Sequence, residues 1–163
     1  IGRFEKQKNH TFLIDIFSEI YKSNTKAVLL LIGKGELENE IREKVKTLNL
    51  ENNIKFLGVR NDISELLQAV DVFLLPSLHE GLPVSGIEAQ AAGLVCFFSD
   101  KVTTDAGIIN SYFLSIKDTK FAWANKIINI CDKFERIDTC EEINKSHFNI
   151  KSTVKDMQNL YFV

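Results

Sequence analysis

The sequence predicts an α/β domain of Rossmann type, an open parallel sheet with helices on both faces. Short apolar runs, such as residues 27–32 and 94–98, alternate along the chain with longer amphipathic stretches. A short apolar run bounded by turn residues is typical of a strand in a parallel sheet, and regular alternation with helices indicates βαβ units. Because 163 residues can bury one sizeable core, we expect a single domain over residues 1–163.

The predicted elements follow each other in the order of such a fold. Residues 1–3 resemble the end of a strand that is already under way, and Asn9 or Thr11 can cap the first helix. We expect helices from the first cap to residue 23 and at 36–48, 61–69, 83–93, 120–134 and 152–162, and strands at 27–32, 54–57, 71–75, 94–98 and 112–116. A loop with a short helix is expected at residues 100–111, and a helical C-terminal part from about 119 to 163.

Composition excludes several classes of protein. The net charge of −2 argues against a dedicated nucleic-acid binder. Charged or turn residues interrupt the long apolar stretches, so no transmembrane segment is predicted. Cys96, Cys131 and Cys140 are odd in number and lack CxxC spacing, which indicates reduced thiols in a cytoplasmic protein. Since the chain opens at Ile1 without an initiator methionine, we expect a fragment of a longer protein.

The most informative stretch lies between Glu80 and Glu88. In residues 81–98 the only charged side chain is Glu88, and burying its carboxylate costs several kcal/mol unless it is hydrogen-bonded. Pro83 suits the first turn of a helix, whose N–H groups favour an anion. With Glu88 about a turn and a half into that helix, the two carboxylates lie roughly 10 to 12 Å apart at ~1.5 Å per residue. This arrangement suits a ligand with hydroxyls at both ends and a negative middle, such as a nucleotide sugar.

Other polar groups are predicted at the same edge of the sheet. In open α/β sheets, ligands bind beyond the carboxyl ends of the strands. Four stretches fall there: Arg3 with Lys8, and residues 33–35, 58–61 and 77–83. Lys34 between two glycines lacks the Walker pattern, so a turn is at least as consistent as a phosphate loop. His10 and His79 flank the predicted site, and we interpret both as surface residues.

These features resemble the family-4 retaining glycosyltransferases, the glycosyl transferases group 1. The similar stretches are Glu80 to Glu88 with the following residues 89–93, and residues 2–10, 32–35, 56–58 and 71–77. The resemblance implies the GT-B architecture, two Rossmann-like lobes around a cleft, and this chain is similar to the C-terminal, donor-binding lobe alone. It also implies that the fragment is inactive without the N-terminal lobe.

The resemblance implies a role for each matched residue. Arg3 and Lys8 contact the donor diphosphate and stabilise the leaving nucleoside diphosphate, as fixed cations do for developing negative charge. Glu80 engages hydroxyls of the transferred sugar, so that Arg3, Lys8 and Glu80 form the catalytic set. Glu88 binds the ribose hydroxyls in bidentate fashion.

The remaining matched residues bind the donor. The N–H groups of Gly81 and Leu82 meet the sugar or the phosphates, where a small residue permits close approach. Val59 and Arg60 occupy the place of a loop that reads the base, largely through main-chain groups. Since the sequence has no Asp-x-Asp pair and no histidine cluster at ligand spacing, we expect no metal and no cofactor beyond the substrate. A UDP-sugar is favoured over a GDP- or ADP-sugar on frequency alone.

Three functions stay open from the sequence. The first is transfer of a sugar, with retention, to a glycan or lipid-linked acceptor in bacterial capsule or exopolysaccharide synthesis. The acceptor would be held by the N-terminal lobe, and the parent protein could lie at the inner face of the membrane. The second is a nucleotide-sugar epimerase or phosphorylase on the same scaffold, and the third is a non-catalytic nucleotide-binding domain. Residues 100–111 lack the paired glycines often found in this loop of the family, so they do not identify the sugar.

Overall fold

The computed structural model describes residues 1–161, which contain five strands and seven α-helices. In chain order they are α1 (His10–Ser23), β1 (Leu29–Ile32), α2 (Glu38–Thr47), β2 (Ile54–Gly58), α3 (Ile63–Gln68), β3 (Val72–Leu75), α4 (Val84–Ala91), β4 (Val95–Ser99), β5 (Ser111–Leu114), α5 (Lys120–Cys131), α6 (Cys140–Lys145) and α7 (Ile150–Tyr161). Helices and strands alternate as far as β4, while β5 and three consecutive helices follow it. Short 3₁₀ turns occupy Lys6–Lys8 and Thr104–Ala106. Phe162, the last residue of the predicted C-terminal helix, lies outside the described residues.

The strands pair in parallel, as predicted. Within residues 1–161 they form two hydrogen-bonded sheets where the prediction had one: β1 pairs with β2, and β3, β4 and β5 form a three-stranded sheet with β4 at its centre. Every residue of β4 is buried, as expected for a strand covered on both faces.

Helices cover both faces of the three-stranded sheet, which confirms the predicted layers. Cys96 and Phe98 of β4 share an apolar cluster with residues of α3 and α4. Val95 and Phe97, which point the other way, share a cluster with residues of α1 and α5, including Trp123. A separate cluster packs α1 and α2 on β1 and β2. No helix within residues 1–161 is both long enough and apolar enough to cross a bilayer.

Residues 1–3 do not form the strand end that the sequence predicted. They run as an extended segment along the end of β1, where the Gly2 N–H donates to the Ile32 carbonyl (2.9 Å) and the Phe4 N–H to the Lys34 carbonyl (3.1 Å). The glycines on either side of Lys34 allow this approach. A Cβ on Gly33 would lie 2.0 Å from the Gly2 oxygen, and one on Gly35 would lie 2.6 Å from the Phe4 backbone. Close packing against residues 2–4 therefore accounts for the two glycines around Lys34.

The ends of α4 fix the segment that carries Glu88. Pro83 takes the N-cap position, one residue before the helix, where the prediction had it in the first turn. At the other end Gly93 has a φ of 76°, and its N–H donates to the Gln90 carbonyl (2.9 Å). Glycine adopts this left-handed conformation without a Cβ penalty and commonly ends helices. The predicted end near Gly93 is confirmed.

Candidate active site

Two predicted site residues from distant parts of the sequence meet at the carboxyl edge of the sheet. The Nζ atom of Lys8 lies 2.5 Å from Oε1 of Glu80. Their side chains are 20% and 10% exposed, so the ion pair is largely shielded from water. Lys8 belongs to the N-terminal turn (residues 6–9), and Glu80 to the β3–α4 loop (residues 76–83). The strand-end rule predicted that these segments converge.

Backbone and amide groups hold the N-terminal turn against the β3–α4 loop. The Leu78 N–H donates to the Gln7 carbonyl (2.8 Å), and the Gln7 side-chain amide donates to the His79 carbonyl (2.8 Å). Two residues further along the chain, Asn9 Nδ2 donates to the Pro76 carbonyl (3.1 Å). These bonds bracket Lys8 on both sides and so fix where its side chain starts.

Asn9 does this in a backbone conformation that few residues tolerate. Its φ of 53° and ψ of 45° are left-handed, a region in which asparagine is enriched among non-glycine residues. Asn9 occupies the N-cap position of α1, as one of the two predicted candidates, but its side chain makes no capping bond because the amide donates to Pro76 instead. Gly2 completes the support, since a Cβ there would lie 3.0 Å from Cε of Lys8.

The start of α4 presents backbone donors beside Glu80. The N–H groups of Gly86 and Ile87 donate to the Pro83 carbonyl. Within residues 1–161, no acceptor is found for four preceding N–H groups, those of Gly81, Leu82, Val84 and Ser85. Such groups, together with the helix dipole, favour a bound anion.

Gly81 stands out because nothing in the described part of the chain requires a glycine there. A Cβ at this position would have no atom within 4 Å, and the φ of Gly81 is not among the positive ones. Leu82, its neighbour, is exposed although it is apolar. A close approach by a molecule outside the chain would account for both features.

Glu88 is exposed, so the expectation of a carboxylate in a buried, apolar environment is wrong. It is the fifth residue of α4, as predicted, and lies on the open side of a helix whose other side carries the buried Ala89 and Gln90. Within residues 1–161 its carboxylate has no hydrogen-bond or ion-pair partner. Glu88 therefore pays no desolvation cost in the fold, and both oxygens can accept bonds from a ligand.

The structure does not join Arg3 to the Lys8–Glu80 pair. The Arg3 side chain is 76% exposed and forms an ion pair with Glu5 (2.9 Å) at the rim of the site. Such an exposed pair contributes little to stability, about 0–1 kcal/mol, so Arg3 can leave Glu5 easily.

The predicted base-reading residues lie in the exposed turn after β2. Val59 is 65% exposed. Arg60 donates from Nε and Nη2 to the two oxygens of Asp62 at 2.8 and 2.5 Å, which lowers the pKa of that carboxyl. In this conformation the guanidinium is paired with Asp62 within the same exposed turn, and the base-reading role of this turn stays a prediction.

The interpretation of His10 as a surface residue is wrong. His10 is buried, with its ring edge-on to Phe4 at a centroid distance of 4.8 Å. Burial lowers its pKa to about 4, and the positive charges of the amine at Ile1 and of Lys8 contribute in the same direction. His79 is exposed, which confirms the surface interpretation for that residue.

Sequence reasoning missed Gln90. This side chain is fully buried and ties α4 to the loop after β4. The available signal was an uncharged polar residue inside the apolar run that follows Glu88. Among residues 1–161, no group of three or more His, Cys, Asp or Glu side chains is placed to hold a metal ion.

Comparison with known proteins identifies the family. The family model described as glycosyl transferases group 1 matches residues 1–147. The chain belongs to this family. The UDP-Gal:alpha-D-GlcNAc-diphosphoundecaprenol alpha-1,3-galactosyltransferase of Escherichia coli is 32% identical over 169 residues, covering 99% of this chain and 44% of the relative. The capsular polysaccharide biosynthesis glycosyltransferase CapH of Staphylococcus aureus is 28% identical over 173 residues, covering 99% and 46%.

Two solved structures show the same fold. HepE of Anabaena superposes with a TM-score of 0.82 at 20% identity, covering all of this chain and 48% of HepE. The C-terminal domain of the group 1 protein LpcC of Francisella tularensis gives 0.73 at 20% identity, covering 92% of this chain and 84% of that domain. The chain thus has the fold of one lobe of a GT-B glycosyltransferase and spans less than half the length of the curated relatives named above.

Proposed function

We propose that the chain is the donor-binding lobe of a glycosyltransferase that moves a sugar from a nucleotide sugar to a glycan or lipid-linked acceptor with retention. The observation that carries the proposal is the Lys8–Glu80 pair beside the N-terminus of α4. A cation, a carboxylate and unpaired backbone donors meet there at the carboxyl edge of the sheet. Membership of group 1 supports the same chemistry.

The diphosphate of the donor would lie between Lys8 and the start of α4. Lys8 offers a positive charge on a fixed turn, and the N–H groups of Gly81 and Leu82 offer neutral donors. Arg3, at the rim, can leave Glu5 and add a second positive charge. As the bond between sugar and phosphate breaks, negative charge grows on the leaving oxygen, and these groups stabilise it. This placement needs no resident metal ion or cofactor.

Glu80 and Glu88 would bind opposite ends of the donor. Glu80, in the β3–α4 loop and paired with Lys8, would accept hydrogen bonds from hydroxyls of the transferred sugar. Glu88, exposed one turn along α4, would accept both ribose hydroxyls. Carboxylates form charge-assisted hydrogen bonds with such hydroxyls, which are about twice as strong as neutral ones. The main chain of Val59 and Arg60 would then contact the base.

The relatives support a setting in surface-polysaccharide synthesis. CapH is named for capsular polysaccharide biosynthesis, the E. coli relative acts on a diphosphoundecaprenol-linked sugar, and HepE was solved with UDP-glucose. We therefore favour a UDP-sugar as donor and a lipid-linked or glycan acceptor. Acceptor contacts would come from another lobe of the parent protein, at the cytoplasmic face of a membrane. Retention would follow from front-face transfer, in which the leaving phosphate accepts the proton of the acceptor hydroxyl.

Calorimetric titration of the chain with UDP, GDP and ADP tests the proposal. We expect UDP to bind most tightly, with a dissociation constant below the millimolar range. No heat of binding for any of the three at millimolar concentration would overturn the proposed function. We further expect negligible sugar transfer by the chain alone, and substantial turnover would contradict the need for a second lobe.

A further inference from the structure

The buried side chain of Gln90 makes as many hydrogen bonds as its amide allows, all of them with backbone groups of the chain. Its Nε2 donates to the Gly86 carbonyl (2.9 Å) and to the Ala106 carbonyl (2.7 Å). Its Oε1 accepts the N–H groups of Ile108 (2.7 Å) and Ile109 (3.0 Å). An amide has two donor hydrogens and two acceptor lone pairs, so the group is fully satisfied.

Three of these four bonds reach the loop between β4 and β5, residues 100–110, here called the 100–110 loop. The side chain therefore fixes the far half of this loop to α4. Because ~100° separates successive residues of a helix, Gln90 points roughly opposite to Glu88, away from the open face. Gln90 would not touch a ligand bound at Glu88.

The first residues of the 100–110 loop, which directly follow β4, are fixed to the residues around Glu80. Ser99 Oγ donates to the Ser77 carbonyl (2.5 Å) and accepts the Lys101 N–H (3.3 Å). The Lys101 carbonyl then accepts the Glu80 N–H (3.1 Å), and Glu80 pairs with Val102 as an isolated parallel bridge. The backbone of Glu80 is thus held by the loop whose other end is held by Gln90.

The exposed part of the loop lies between these two attachments. It is the 3₁₀ turn Thr104–Ala106, whose preceding residue Thr103 accepts the Asp105 N–H through its hydroxyl (3.4 Å). Thr104 and Asp105 carry exposed polar side chains, while Ala106 is buried. A polar turn held at both ends and joined to Glu80 is suited to contact hydroxyl groups.

We propose that Gln90 is a positioning residue that holds the 100–110 loop beside Glu80 and thereby sets how tightly the sugar part of the donor is bound. This inference rests on the proposed function, because it takes Glu80 as the residue that contacts the sugar. Gln90 acts from behind the site. Its loss should therefore affect an intact nucleotide sugar and spare the nucleoside diphosphate, which is held by Lys8, Glu88 and the start of α4.

The variant Gln90→Met tests this, since methionine keeps a long unbranched side chain and removes all four hydrogen bonds. Affinities of the chain would be measured by calorimetry for UDP, GDP and ADP and for the glucose conjugate of each. For the nucleotide that binds best, we expect the diphosphate affinity to stay within about twofold and that of the glucose conjugate to fall about fivefold or more. Exchange of the Ile108 and Ile109 amide hydrogens should become about tenfold faster.

Two further variants keep the outcome decisive. Ser99→Ala releases the near end of the loop from Ser77 and should cause the same selective loss, so it decides the matter if Gln90→Met does not fold. Ile127→Val is the control for a general loss of stability, because it removes one methylene-sized group from the cluster at α5. It should lower the melting temperature without changing the ratio between the affinities for the glucose conjugate and for the diphosphate.

The possible outcomes separate a positioning role of Gln90 from a purely structural one. Suppose the wild-type chain binds a diphosphate and the variants keep the wild-type ratio between the affinities for the glucose conjugate and for the diphosphate. Gln90 then only supports the fold, and the inference is wrong. The same holds if both affinities fall together. If the wild-type chain binds none of the nucleotides, the proposed function itself fails, a result that the wild-type titration alone reveals.

Discussion

Lys8 and Glu80 form an ion pair of 2.5 Å between Nζ and Oε1 across 72 positions of the sequence. A donor diphosphate that binds Lys8 has to compete with the Glu80 carboxylate, whose negative charge also repels it. In Glu80→Gln this competition is weaker. We expect the variant to bind UDP about two- to fivefold more tightly. The ratio of its affinity for UDP-glucose to its affinity for UDP should fall about tenfold, because the amide loses a charge-assisted bond to the sugar. Calorimetry with both ligands measures this.

The same substitution should lower stability, since it leaves Lys8 half-buried without a counter-charge. We expect a loss of about 1–3 kcal/mol in urea unfolding, partly restored by UDP. Glu38→Gln, which breaks the exposed pair with Arg42 on α2, is the matched control and should change stability by less than about 1 kcal/mol. Equal losses in the two variants, or weaker UDP binding in Glu80→Gln, would contradict the role assigned to the Lys8–Glu80 pair.

Glu88→Ala should weaken UDP binding without destabilising the fold. The carboxylate is exposed and has no partner within residues 1–161, so its removal costs the fold little. Two charge-assisted bonds to ribose hydroxyls are worth about 1.5–3 kcal/mol or more, which predicts at least a tenfold rise in the UDP dissociation constant. Glu43→Ala removes another exposed glutamate, on α2, and should leave both stability and UDP affinity unchanged. A wild-type affinity in Glu88→Ala would exclude ribose binding by this residue.

The sequence was sufficient for the features that depend on local pattern. Apolar runs and turn residues located the strands and their parallel pairing, and Gly93 located the end of α4. The meeting of Lys8 with Glu80 followed from a general rule, that strand ends in such sheets lie at one edge. It required no knowledge of individual contacts.

Features that depend on which neighbour covers a residue were missed. His10 is buried because Phe4, a residue of the preceding extended segment, packs against its ring, and no periodicity reports that contact. Glu88 is exposed because the apolar run around it belongs to a helix with one open face followed by a buried strand. In the sequence, the helix and the strand form one continuous apolar run, so the exposed face of the helix could not be recognised. Helix α6 lies in the C-terminal part that was predicted to be helical, but its bounds were not predicted because none of its residues is buried.

Gly33→Ala should disrupt the N-terminal segment far more than Gly58→Ala. Gly33 has a φ of 140°, and an added Cβ would lie 2.0 Å from the Gly2 carbonyl oxygen, which is backbone and cannot rotate away. We expect a loss of about 3 kcal/mol or more, and weaker UDP binding because Gly2 adjoins Lys8. Gly58 also has a positive φ, 65°, but a Cβ there meets no atom within 4 Å, so a cost of about 1–2 kcal/mol is expected. Denaturant unfolding compares the two, and equal losses would show that packing against Gly2 is unimportant.

His10 should make the fold less stable as the pH falls from 7 to 4. Burial lowers its folded pKa to about 4, below the value of about 6.5 for an exposed histidine. The unfolded chain therefore binds the proton more readily in this range, and stability present above pH 6.5 is lost as the pH approaches 4. The difference amounts to about 3 kcal/mol at 1.36 kcal/mol per pH unit.

The variant His10→Phe separates this effect from the titration of carboxylates. Phenylalanine keeps a ring against Phe4 and carries no titrating group, so urea unfolding should show a loss between pH 7 and pH 4 that is smaller than in the wild type by about 3 kcal/mol. His79→Ala, which removes an exposed histidine, should keep the wild-type pH dependence. If His10→Phe and the wild type lose the same stability over this range, the imidazole is not buried in its neutral form, and the packing of Phe4 on His10 does not hold in solution.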